Sequence, residues 1–138
     1  MPWLVYALLS ALFAAATAIL AKIGIEGVPS NLATAVRTAV VLVFAWAIVF
    51  ATGDHRALAG MSRRSYLFLG LSGIATGCSW LAYFRALQIG PANRVAPVDK
   101  LSLPLTILLA WLVLREEVTW RVATGVGLMV AGALLTIS

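Results

Sequence analysis

The scarcest thing in this sequence is charge. Only 11% of the 138 residues are Asp, Glu, Lys or Arg, while 62% are hydrophobic. A soluble domain of this size needs far more polar surface. Histidine and cysteine are almost as rare, with one of each, His55 and Cys78. A single cysteine excludes an intrachain disulfide. A single histidine beside Asp54 leaves no zinc spacing and no Ser-His-Asp set. No Walker-type glycine loop is present. An enzyme is therefore not expected, and neither is a metal or other cofactor. Glu116 and Glu117, next to Arg115, mark the end of an apolar block rather than a catalytic pair. The start, Met1-Pro2-Trp3, has no Lys or Arg, so the first apolar stretch is expected to be a retained helix rather than a secretion signal.

What is present is long apolar runs. Mean hydropathy is +1.01. About 20 mostly apolar residues cross the ~30 Å hydrocarbon core as a helix. Five such spans are read, at residues 3–21, 32–51, 65–84, 92–114 and 119–137. Short connectors at 22–31, 52–64, 85–91 and 115–118 carry turn residues, as in "GVPSN", "TGDHR" and "IGPAN". Barrel strands would be about ten residues long with period two, half the length of these blocks. The expected fold is an all-α integral membrane protein, one membrane domain over 1–138 in the cell's inner membrane.

The net charge of +5 does not point to nucleic acid, because the basic residues form no stripe. Basic ends of membrane proteins meet anionic lipid headgroups. Five spans put the termini on opposite sides. Arg56, Arg63, Arg64, Arg115 and Arg121 fall on the N-terminal side, and Lys22, Arg37, Arg85, Arg94 and Lys100 on the other. Lys and Arg are thus nearly balanced, with a slight bias to a cytoplasmic N-terminus. That balance permits insertion in both orientations; a single fixed orientation is the alternative.

Ionisable residues at membrane depth are costly unless paired or facing water. Arg37 lies inside the second span, and Asp99 and Lys100 inside the fourth. With ~1.5 Å rise per residue, all three lie roughly 10 Å from the same membrane face. Lys22, Glu26, Arg85 and Arg94 surround the mouth above them. Its cationic excess favours a carboxylate or phosphate. Adjacent residues on a helix diverge by about 100°, so Asp99 and Lys100 are not natural partners. The expectation is an Arg37–Asp99 pair, with Lys100 facing a cavity. Snorkelling to the interface is the alternative, least available to the short Asp99.

Trp80, Tyr83 and Phe84 share one face of the third span and are candidates for lining a cavity, with interfacial anchoring the alternative for Tyr83. Pro104 in mid-span is the candidate hinge. Gly73 and Gly77 form a close-packing face, as does the fifth span through Ala123, Gly127 and Ala131, with Gly125 and Gly132 thinning it further. The sequence leaves open whether these faces pack within a chain or between chains.

Two segments carry a resemblance to a known family. "AKIGIEGVPSNLATAVRTAVV" has a Lys ending one span and an Arg inside the next. "LAYFRALQIGPANRVAPVDKLSLPLTILLAWLVLREEVTWRVATGVGLMVAGALL" has an aromatic run into "AL", a small-residue turn, a Pro-containing helix, an "L-x-E" ending and a Gly-rich last helix. Their order resembles one EamA-type repeat of the drug/metabolite transporter superfamily, in its five-helix bacterial and archaeal branch. The resemblance implies a transporter of small metabolites or drug-like solutes. Ten-helix relatives place substrate between two inverted repeats. A chain with one repeat of five helices would rebuild that design as an antiparallel homodimer. Lys22, Arg37, Trp80, Tyr83, Asp99 and Lys100 would then line the pathway, and alternating access would use Pro104. A non-transporting subunit and a lipid-carrier flippase are the rival readings. The four-helix small multidrug resistance proteins differ in having an acidic residue in the first span.

Overall fold

A computed structural model describes residues 2–137. Met1 and Ser138, the two ends of the expected domain, lie outside the described residues. The described chain is helical and contains no strand. The helices are α1 (Pro2–Gly24), α2 (Ser30–Thr52), α3 (Arg63–Ile89), α4 (Ala92–Asp99), α5 (Ser102–Leu109) and α6 (Trp120–Leu135). A 3-10 helix, Asp54–Gly60, joins α2 to α3, and a π-helical turn, Ala110–Leu114, follows α5. Four segments are long and apolar enough to cross a membrane: Pro2–Gly24, Ser30–Thr52, Arg63–Ile89 and Ala92–Leu114. The protein is an all-α membrane protein, with α6 as a shorter apolar helix.

Lipid as solvent explains the surface. Large apolar side chains such as Phe13, Phe44, Leu69 and Leu128 stand exposed, as they must where the surroundings are hydrocarbon. Backbone and hydroxyl groups must then be satisfied internally. Thr34, Thr38, Thr76, Thr106 and Thr124 each donate to the carbonyl four residues earlier, at 2.7–2.9 Å.

Helix ends follow local chemistry. Gly53, at φ 80°, closes α2 in the left-handed conformation that glycine adopts without strain. The Ser62 hydroxyl accepts from the Ser65 N–H at 3.0 Å and caps α3. α3 passes its expected end at Phe84 and runs to Ile89. Gly90 and Pro91 stop it there, since the residue before a proline avoids the helical region. Thr119 caps α6, its side chain accepting from the Val122 N–H at 3.4 Å. α6 has 16 residues, roughly 24 Å of helix, shorter than the span expected at 119–137.

The fourth expected span, Ala92–Leu114, runs through as a spanning segment but is not a regular helix. It tightens into a turn at Lys100-Leu101, between α4 and α5, where both residues keep right-handed helical dihedrals. The cause is Pro104, which has no N–H to offer the Lys100 carbonyl four residues back. That carbonyl accepts instead from Leu103 N–H at 3.0 Å, a tighter turn that resets the helix. The effect of Pro104 on the backbone therefore falls one turn upstream of itself.

The chain divides into two compact units, Met1–Leu20 with Ile89–Ser138, and Ala21–Gln88. In the first unit α6 packs against α4 and α5. In the second, packing concentrates where the end of α1, the start of α2 and the end of α3 meet. Ala21, Ile25, Ser30, Thr34, Phe84 and Leu87 are buried there.

Candidate functional site

In the unit Ala21–Gln88, α2 carries Arg37 seven residues past its start at Ser30, roughly 10 Å along the helix. α3 carries Trp80 and Phe84 one turn apart, so their rings share a face. The Arg37 guanidinium carbon lies 4.2 Å from the Trp80 ring centroid and 5.4 Å from that of Phe84. Both distances are cation–π contacts. Tyr83 meets Phe84 edge-on, with centroids 6.4 Å apart. Phe84 is 3% exposed and Arg37 half-buried.

This arrangement answers how a charge is held at membrane depth. Two aromatic faces attract the guanidinium through their quadrupoles. Among the described residues of this unit, no carboxylate makes an ion pair with Arg37. The guanidinium carries five N–H donors in one plane, and the cation–π contacts use none of them as hydrogen bonds to an anion. Such a donor set suits a carboxylate or phosphate.

Nearer the mouth, Lys22 at the end of α1 donates its ammonium to the Leu87 carbonyl of α3. The Gln88 side-chain N–H donates to the Val28 carbonyl at 3.0 Å, and its oxygen accepts from Arg85 at 2.7 Å. A cavity of about 440 Å³ opens beside these groups, lined by Lys22, Ile23, Ile25, Glu26, Gly27 and Gln88.

The other unit holds Asp99 and Lys100. They form an ion pair at 3.3 Å, against the expectation that they are not natural partners. Lys100 keeps right-handed helical dihedrals, φ -71° and ψ -5°, and its N–H reaches the Ala96 carbonyl at 3.3 Å, so the two Cβ atoms still diverge and it is the long, flexible lysine stem that folds back to the carboxylate. Of the expected pathway residues, Arg37 and Trp80 are brought together, Tyr83 stands beside them through Phe84, and Lys22 lies toward the mouth. Asp99 and Lys100 meet each other.

The close-packing glycines have open space around them. Within their own units, nothing would lie within 4 Å of a Cβ at Gly73, Gly77, Gly125, Gly127 or Gly132.

Gln88 and Leu87 were not singled out by the sequence. Leu87 is completely buried but reads as one leucine among many. Gln88 is the chain's single glutamine, a polar side chain one turn after Arg85 at a helix end, and that rarity was the available signal.

The described site is thus a stacked arginine beneath a polar mouth, on helices long and apolar enough to span a bilayer. Comparison with known proteins identifies the family: residues 1–138 match the EamA-like transporter family. The chain belongs to the EamA-like transporter family. A Sinorhizobium protein described as an uncharacterized transporter in the cobO 3' region is 50% identical over 133 residues, 96% of this chain and 94% of its own length. No solved structure matches the chain significantly. This EamA-like protein is therefore a multi-pass membrane protein of a transporter family.

Proposed function

We propose that this EamA-like protein is a secondary transporter of small metabolites or drug-like solutes bearing an anionic or zwitterionic group. The observation that carries the reading is Arg37, stacked 4.2 Å over Trp80 with its in-plane donors unengaged by any carboxylate among the described residues of its unit. The aromatic faces stabilise the cation without neutralising it, so an arriving carboxylate adds a partner rather than displacing one. Lys22 collects the solute at the mouth, Trp80 and Tyr83 line its path, and Asp99 with Lys100 forms a second charged station on the irregular fourth span.

In this proposal the working unit is an antiparallel homodimer in the inner membrane, inserted in both orientations. The near balance of Lys and Arg across the two faces supports dual topology. The open glycine faces on α3 and α6 support close packing against a second copy. Proline is tolerated in spanning helices where the freed carbonyl finds another partner, which supports the tightened turn before Pro104 as the flexible point of alternating access. The test is uptake by purified protein in liposomes, with radiolabelled simple carboxylates as probes. Uptake that saturates and collapses in Arg37→Gln is the expected result. Uptake unchanged by that substitution would exclude Arg37 as the solute's partner, and no uptake of any probe by the purified chain would favour a non-transporting subunit.

A further inference from the structure

We infer that Gln88, assisted by Lys22, is the latch of a gate that closes the mouth of the Ala21–Gln88 unit above Arg37. The inference rests on the transport reading above and adds to it the residues that hold the pathway shut. It starts from two hydrogen bonds that bridge distant parts of the chain. Lys22 donates to the Leu87 carbonyl, 65 residues away, and Gln88 donates to the Val28 carbonyl, 60 residues away. Together they fasten the end of α1 and the loop after it onto the end of α3.

Gln88 is held for this task from both sides of its amide. An amide group has one accepting and one donating end. Arg85 donates to the oxygen at 2.7 Å, so the nitrogen is turned to Val28. Beneath the latch lies a plug of packed side chains: Ile25 is 3% exposed, Thr34 5%, Phe84 3% and Leu87 0%. Arg37 follows Thr34 on α2 by three residues. Outside the latch lies the cavity of about 440 Å³ that Lys22, Glu26 and Gln88 line. Ile25 borders that cavity and Phe84 meets Arg37, so the plug reaches from the one to the other.

The bond type suits a gate. When a side-chain amide leaves a backbone carbonyl at a mouth, water replaces it, and no buried charge is stranded. The loop also has a pivot. Gly27 adopts φ 72°, a conformation that glycine takes freely. A gate of this kind is a two-state element with a minor open population, and removing one hydrogen bond raises that population.

The experiment measures water access to the plug. Thr34→Cys in a Cys78→Ser background is labelled with a hydrophilic, membrane-impermeant thiol reagent in inside-out and right-side-out vesicles. Gln88→Ala and Gln88→Glu are then added. Gln88→Glu keeps the acceptor for Arg85 and loses the donor for Val28, so it isolates the latch. Both should raise the labelling rate roughly 2- to 10-fold, the effect of one hydrogen bond. An unchanged rate in both overturns the latch. An increase in Gln88→Ala with none in Gln88→Glu also overturns it, because the Val28 bond would then be idle. Ala133→Cys, a buried site in the other unit, serves as the folding control, and an equal rise there overturns the inference by showing general loosening. Labelling needs no solute, so a failure of uptake refutes the transport reading while a selective rise at Thr34 still supports the latch.

Discussion

Arg37 is the side chain on which the proposed solute site depends, and its substitutions should fall in a definite order. Arg37→Gln removes the charge and keeps two amide donors. A hydrogen bond to a charged group contributes roughly 1.5–3 kcal/mol, and about 1.4 kcal/mol is tenfold in affinity. An anion held by Arg37 should therefore bind roughly 10- to 100-fold more weakly. Arg37→Lys keeps the charge but loses the plane. The contact with Trp80 at 4.2 Å is present with or without solute and so drops out of the affinity; what the substitution takes from the solute is one arm of the bidentate pair. Losing about one hydrogen bond of about 0.5–1.5 kcal/mol should weaken binding roughly 2- to 10-fold. The assay is thermal unfolding in detergent with acetate through hexanoate, using the matched primary amides as neutral controls. A ligand that binds only the folded state stabilises it by about 2.7 kcal/mol at 100 times its Kd, so the ranking is readable as shifts in Tm. Wild type should respond most, Arg37→Lys less and Arg37→Gln least, with no response to the amides. Amides as effective as carboxylates, or an Arg37→Gln response equal to wild type, would refute the reasoning.

Other substitutions probe the rest of the account. Pro104→Ala restores the N–H that the Lys100 carbonyl lacks, so α4 and α5 should fuse; slower backbone amide exchange at Leu101–Leu105 and a lower uptake rate are expected. Leu87→Ala empties the most buried position of the Ala21–Gln88 unit and should lower unfolding stability by about 1–3 kcal/mol, mostly as lost packing, measured by denaturant titration in detergent. Lys100→Gln should lower uptake while insertion into the membrane stays intact, checked by uptake normalised to protein in purified membranes. A double-mutant cycle of Arg37→Gln with Asp99→Asn tests the expected Arg37–Asp99 pair: a coupling above about 0.5 kcal/mol in unfolding stability is expected, and additive losses would exclude the pair.

The spans were legible because bilayer thickness sets the length of an apolar run, and no tertiary knowledge is needed to count to 20. Their ends were less so. α3 continues through the polar Arg85 and Gln88 until Gly90-Pro91, because hydrophobicity ends before helicity does. Pro104 was visible as a disruption, but the tightened turn falls at the carbonyl it deprives, four residues earlier. The aromatic face of Trp80 and Phe84 followed from helical spacing alone. Arg37's place on it did not, since that depends on how α2 and α3 are rotated against each other. The Asp99–Lys100 pair was missed because helical spacing fixes only Cβ directions, and the long Lys100 side chain reaches back across that divergence to the carboxylate. Gln88 reaches Val28 across 60 residues, a distance over which periodicity says nothing.

The central claim is that two copies in opposite orientations build one pathway. The most direct test places a cysteine at Ser138 in the Cys78→Ser background and labels it from each side of intact cells and inverted vesicles. Comparable labelling from both sides is predicted. Labelling from one side alone would contradict the antiparallel assembly and send the search toward a parallel assembly or a different partner chain.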